Sequence, residues 1–282
     1  MSGSVASREE KTKSTTKHSA FKLVSEHGAY QRAIKANSKV VAVDSPLERF
    51  RRVSDSDGEA MHRISMYWGK RFQLFAERAT LPLNQTVHGA LNAVDREVLR
   101  SGFVVILPSN SQGVPVVSIE IARIQKDYDN MFAVSDSALR CLFYIYSVVS
   151  ENPRSQDSGV ITLVTLSGSF NGISTEARDF VARVVDIVDH SIPVRRYRTD
   201  IVFRPPRNGK RRYLDHTVPQ TIEFARACLG SEGVVSDVAV SGEKIAKNLT
   251  GRGYTLEGLP KSLGGKCTFS VVMFIRSLPS TH

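Results

Sequence analysis

Side chains that could do covalent or metal chemistry are dispersed along this chain. Of the seven histidines, His62 and His88 fall in helical patterns and His190 and His216 near loops, with no spacing that would bring a ligand set together. Gly168-Ser169-Phe170-Asn171-Gly172 holds its serine second rather than third. It therefore lacks the G-x-S-x-G order that exposes a nucleophile on a strained strand-to-helix turn, and it reads as a turn or helix lead-in. Gly251-Arg252-Gly253 lacks the rest of a dinucleotide fingerprint and follows no convincing strand. Cys141, Cys228 and Cys267 form no C-x-x-C pair and read as reduced core cysteines of a cytosolic protein, which leaves the sequons at Asn84 and Asn248 without meaning. No enzyme and no metal or other cofactor is expected.

The chemistry that does concentrate is charge. The chain carries a net charge of +10. Residues 1–40 hold eight Lys/Arg against three Glu, and residues 195–212 hold eight Lys/Arg against the single Asp200. A concentrated basic patch points to an anionic partner, either a membrane surface or nucleic acid. Tyr197 and Tyr213 interleave with the arginines as base stacking would require. No helix-turn-helix, zinc-finger or RNP signature accompanies them, so nucleic acid is not expected.

The element that must position any site is Val160–Ser167, an aliphatic and threonine run with Gly159 before it and Gly168 after it. Its composition predicts a strand buried on both faces, as in a largely parallel sheet flanked by helices. Helical patterns over 135–151 and 174–190 bracket it and predict an α/β fold. The first of these is apolar nearly all round, with Leu139, Leu142, Phe143, Tyr146 and Val149 on one stripe, so it needs cover on more than one side. The second carries Ala177, Phe180, Val181, Val184, Val185 and Val188 on one face.

Upstream, 1–44 reads as a basic, disordered tail with a weak helical pattern over 21–36. Residues 45–100 read as a small helical subdomain. Ser45-Pro46 opens its first helix as cap and first-turn proline, helices follow over 59–77 and 87–99, and a Ser-Asp-Ser-Asp-Gly break at 54–58 separates the first two. The main domain, 101–276, then offers strands at 103–107, 114–121, 160–167, 197–203, 234–240 and 267–275. It also offers helices from Pro219 to Leu229 and over 242–250. A short tail, 277–282, ends the chain. No apolar run reaches the ~18 residues of a membrane span, and Met1–Ala20 has no apolar core of the kind a secretory signal needs.

The order of these elements, with several local signatures, resembles the CRAL-TRIO lipid-binding family, which includes phosphatidylinositol/phosphatidylcholine, α-tocopherol and retinaldehyde carriers. The resemblance covers roughly 45–275. Leu259-Pro260-Lys261-Ser262-Leu263-Gly264-Gly265 is similar to the family's closing L-P-x-x-x-G-G signature. Arg49-Phe50-x-Arg52 and the segment around Trp68 are similar to its N-terminal helical region. Gly113-Val114-Pro115-Val116 resembles its G-R-P-V turn with Val for Arg. Three positions depart from the pattern. Thr165 stands where many relatives have Asp, Pro193-Val194-Arg195 replaces a Pro-Glu-Arg triplet used for inositol, and a lysine after the gate is replaced around Ser236. Thr162 matches a hydroxyl that phosphatidylcholine-binding members use, with Val160 in place of its paired Ser.

What the resemblance implies is a CRAL-TRIO fold. It has a mostly parallel sheet as floor, flanking helices, and a movable gate helix, here 218–229, over a cavity holding one phospholipid or other hydrophobic molecule. The implied lining candidates are Val160, Thr162, Val164, Phe143, Tyr146, Ile222, Ala225 and Leu229. The implied membrane or headgroup contacts are Arg195, Arg207, Lys210, Arg211 and Arg212. The corresponding function is binding of one lipid and its transfer or presentation between membranes by a cytoplasmic, reversibly membrane-associated monomer. The alternative is a non-catalytic adaptor with a vestigial cavity that binds a protein or a phosphoinositide membrane.

Overall fold

The computed structural model describes residues 28–83, 88–127, 134–167, 174–205, 210–229, 234–238 and 242–267. The fold is α/β: a five-stranded, mostly parallel sheet flanked by helices, with spatial strand order β1-β2-β3-β4-β5. The strands are β1 (Val104–Leu107), β2 (Val116–Glu120), β3 (Val160–Ser167), β4 (Arg196–Arg204) and β5 (Val234–Val238). β1 and β2 form an antiparallel hairpin, and every later neighbour is parallel.

A strand order that never reverses, combined with right-handed crossovers, lands every connecting helix on one face. Those helices are α5 (Ile121–Asp127), α6 (Ser135–Val149), α7 (Pro153–Asp157), α8 (Thr175–His190), α9 (Lys210–Arg212) and α10 (Val218–Leu229). Upstream lie α1 (28–44), α2 (Leu47–Arg52), α3 (Asp57–Phe75) and α4 (Ala93–Arg100). Side chains of α1, α3, α4, α6 and α8 belong to one buried cluster with Val160, Leu166, Ile201 and Phe203 of the sheet. The opposite face is closed by α11 (Gly242–Thr250) and the turn around Lys261–Leu263, through Ile245, Leu249, Tyr254, Leu259 and Leu263 against Ile161, Leu163 and Val202.

β3 is thus covered on both faces, as its composition predicts. Each fully buried aliphatic side chain there stabilises the fold by about 1.5–3 kcal/mol. Gly159 begins the strand with φ +85°, and a Cβ there would sit 3.0 Å from the Arg195 carbonyl. At the closing turn Gly264 is left-handed, and a Cβ on Gly265 would come within 2.1 Å of the Leu259 carbonyl oxygen. The two glycines let the turn fold flat onto Leu259, which is fully buried.

The upstream helices are held by a buried polar cluster. Arg71, fully buried, pairs with Asp44 at 2.7 Å and lies 4.5 Å from the Trp68 ring centroid. Ser45 does not cap α2 as its position before Pro46 suggests. Its Oγ accepts from Trp68 Nε1 at 2.9 Å and donates to the Val41 carbonyl, so it closes α1 against α3. The N-cap of α3 is Ser56, inside the expected Ser-Asp-Ser-Asp-Gly break. The helix expected at 87–99 begins only at Ala93, behind an Asn92/Asp95 capping box. The weak pattern over 21–36 corresponds to a helix over 28–44. The strand expected at 114–121 ends at Glu120, and Ile121 opens α5, which with α7 has too few residues to show a period. Of the strand expected over 267–275, Cys267 forms an isolated bridge to Pro260, and the rest lies outside the described residues. No helix among the described residues is long and apolar enough to cross a membrane.

Candidate functional site

On the helix-covered face, the side chains of β3 and β4 alternate so that Thr162, Val164 and Leu166 stand beside Thr199 and Ile201. α6 covers part of this floor with Leu142 and Tyr146. α8 and α10 cover the rest but do not close on each other. Between them and the sheet lies an open cavity of about 160 Å³. Its walls are Ala177, Phe180, Val181, Val184, Val185 and Val188 from α8 and Thr221, Phe224, Ala225 and Leu229 from α10. Val181, Val184, Val185, Phe224 and Leu229, which line this open cavity, are only half-buried.

The cavity is apolar except at one end. Tyr146 and Thr162 share a hydrogen bond of 2.6 Å there, and burial pushes the Tyr146 phenol up to about 12. Asp189, in the last turn of α8, lies 3.1 Å from Arg196 Nη1 at the start of β4. Burial raises the Asp189 pKa, and the Arg196 charge opposes that rise only in part. Arg196 Nη2 donates to the Leu229 carbonyl at 2.7 Å, fixing the end of α10 beside the start of β4. The polar end of the cavity is therefore the amino end of the parallel strands, and its apolar end lies toward Leu166.

The cover is longer than α10 alone. Residues 210–229 run as one helical segment: α9, a π-turn at Tyr213–Thr217, then α10. The π-turn ends two residues before Pro219, whose ring lacks an N–H and would clash with the carbonyl four residues back in a regular helix. Widening the backbone there accommodates the proline without ending the helix. Tyr213 is buried in this turn, and its hydroxyl has no hydrogen-bond partner among the described residues.

Of the sequence-predicted lining residues, Thr162, Val164, Tyr146, Ala225 and Leu229 face the cavity together. Val160 and Phe143 are buried in the packed core instead, and Ile222 packs against that core rather than lining the space. Phe143 is turned toward the upstream helices, its ring tilted against Tyr67 at 5.0 Å and edge-to-face with Phe75 at 5.7 Å. Val160 lies on the same helix-covered face as Thr162 and Val164 but is packed into the core at the start of β3.

The basic residues do not form one patch. β4 spans nine residues, about 30 Å, and separates Arg195 at its start from Lys210, Arg211 and Arg212 beyond its end. Those three are exposed at the head of the cover, with Arg211 3.5 Å from Asp215. Arg195 is exposed at the opposite end of the sheet, where its guanidinium reaches the Arg52 carbonyl. Arg207 lies outside the described residues.

Sequence reasoning missed Asp189 and Arg196 as site residues. They sit on either side of the α8–β4 turn, and a short helix-to-strand connection was the available signal. The valine stripe of α8 was visible as an apolar face, but nothing in the pattern distinguishes a wall from core. The chain matches no protein-family model, and no curated protein matches it.

Proposed function

We propose that the protein binds a single hydrophobic lipid between its sheet and the α8/α10 pair and transfers or presents it between membranes, in the manner of the CRAL-TRIO carriers that its sequence resembles. The observation that carries this reading is the apolar cleft whose outer wall is a helical segment with Lys210, Arg211 and Arg212 at its exposed head. Sequestering an acyl chain from water is favourable by about 0.8 kcal/mol per methylene. A bilayer offers the same, so exchange is near neutral and needs only a hold on the surface while the cover moves. Basic residues near an anionic leaflet supply about 1 kcal/mol each.

The cavity of about 160 Å³ is of the size that admits a benzene-like guest. A whole acyl chain requires α10 to move outward from α8. Among the described residues, Arg178 reaches from α8 over the Phe224 ring of α10 at 5.5 Å. The π-turn supplies an irregular backbone at which such a movement could pivot. The test is movement of labelled lipid from donor to acceptor vesicles. Catalytic acceleration by the full chain supports the reading, and rates equal to spontaneous exchange sink it.

The small enclosed volume is also what favours the second reading, an adaptor with a vestigial cavity. An adaptor floats with anionic vesicles but moves no lipid.

A further inference from the structure

The two ends of α10 are held differently. At its last residue, Leu229, the carbonyl accepts a hydrogen bond from Arg196 Nη2 at 2.7 Å. The closing carbonyls of a helix lack intrahelical partners and carry its partial negative charge. A guanidinium there completes a hydrogen bond and opposes that charge. Arg196 is itself fixed, its Nη1 lying 3.1 Å from Asp189 Oδ2 in the last turn of α8. α8 is tied in turn to the helices beneath it. Arg63 of α3 donates to the Asp189 carbonyl, Lys70 of α3 pairs with Asp186, and Arg183 pairs with Asp136 of α6 at 2.9 Å. One arginine at the start of β4 therefore joins the ends of α8 and α10. At the other end of α10 the π-turn interrupts the regular hydrogen-bond ladder, beside the exposed Lys210, Arg211 and Arg212. Between the two ends, the exposed Arg178 side chain over Phe224 is a contact that a tilt of α10 parts.

We infer, resting on the carrier reading, that Arg196 is a positioning residue that pins one end of the cover. α10 tilts away from α8 at the π-turn while Leu229 stays beside the start of β4. The cleft then opens at the carboxyl end of the strands, next to the basic head, and its amino end stays shut. The geometry gives this movement a signature. At about 1.5 Å per residue, Gln220 stands about 13 Å from Leu229 along the helix axis and Ala227 about 3 Å. A rigid tilt about Leu229 displaces the two in a ratio of about four. A cover that lifts off whole displaces them equally, and one that swings from the π-turn displaces Ala227 more.

The test is double electron–electron resonance on the full-length protein, spin-labelled at Glu97→Cys on α4 and at either Gln220→Cys or Ala227→Cys. All three positions are exposed, and the background is Cys228→Ser/Cys267→Ser. Distances are measured with and without phosphatidylcholine/phosphatidylserine vesicles, and transfer of a fluorescent phosphatidylcholine between vesicles is followed on the same samples. The vesicle-induced shift at Gln220 is expected to exceed that at Ala227 about fourfold. Arg196→Met should bring the ratio close to one, and Arg196→Lys, which keeps the charge and a donor, should restore most of the asymmetry. A ratio that Arg196→Met leaves unchanged overturns the role of Arg196. The ratio with Arg196 present decides the matter even where Arg196→Met fails to fold. Equal shifts, a larger shift at Ala227, or no shift while lipid still moves overturns the pinned cover and leaves the carrier reading standing. The fourfold asymmetry without lipid transfer keeps the pin and sinks the carrier reading, and absence of both shift and transfer sinks the two together.

Discussion

The hydroxyls of Tyr146 on α6 and Thr162 on β3 lie 2.6 Å apart on the wall of the cavity. Neither has a reason to be polar for packing, since phenylalanine and valine would fill the same volumes. Each satisfies the other inside the apolar layer. Tyr146→Phe alone should cost about 1–3 kcal/mol, because Thr162 is left buried without its partner, and Thr162→Val should cost a similar amount. The double variant should cost clearly less than the sum. Urea unfolding of the four proteins measures the cycle, and strict additivity would refute the pairing.

Lys210, Arg211 and Arg212 head the cover, whereas Arg195 is at the other end of β4. Reversing the first three to Glu should weaken flotation with anionic vesicles by about 10²-fold or more at low salt. Arg195→Glu should leave flotation within about twofold. Equal losses from the two variants would contradict docking through the cover.

The buried pair of Arg71 and Asp44 holds α1 to α3, and nothing about it concerns a ligand. Arg71→Leu should destabilise the protein by about 3–5 kcal/mol by leaving Asp44 in an apolar site without its counter-charge. The Arg71→Leu/Asp44→Leu double variant should recover much of that loss in the same unfolding assay.

Asp189 has a folded-state pKa above its ordinary value, chiefly through burial. Protonation therefore favours the folded state. The contribution is full below the ordinary carboxylate value and is lost as pH rises through the higher folded value. Asp189→Asn should accordingly gain stability relative to wild type as pH rises from the ordinary carboxylate value through the higher folded value. Unfolding free energies of both proteins across that range check the sign, and a relative loss would place Arg196 in control of the carboxylate instead.

Much of this architecture can be read from local composition. β3 is found at its expected bounds because an apolar run preceded by a glycine at positive φ has one reading. The helix over 174–190 is found with Ser174 as its N-cap, its hydroxyl accepting from the Ala177 N–H ahead of a periodic apolar face. What sequence spacing conceals is set by distance across the fold. Residues 195–212 look like one basic cluster until the length of β4 pulls its two ends apart. Asp189 and Arg196 become a pair only because α8 and β4 meet at a tight turn. Val160 and Phe143 have cavity-lining chemistry, but Val160 is packed into the core at the start of β3 and Phe143 is turned toward Tyr67 and Phe75. Ser45 looks like a cap, yet serves as the acceptor that Trp68 needs when buried.

Replacing Ala225, buried on the inner face of α10, by Phe fills the cavity and gives the most direct control on whether that space holds a guest. The decisive measurement is native mass spectrometry, with lipid extraction, of the purified wild-type protein beside Ala225→Phe. The account predicts close to one lipid per wild-type chain and at least about a tenfold loss in the variant, with folding intact. A wild-type protein carrying no lipid, or a variant that keeps it in full, would contradict the account.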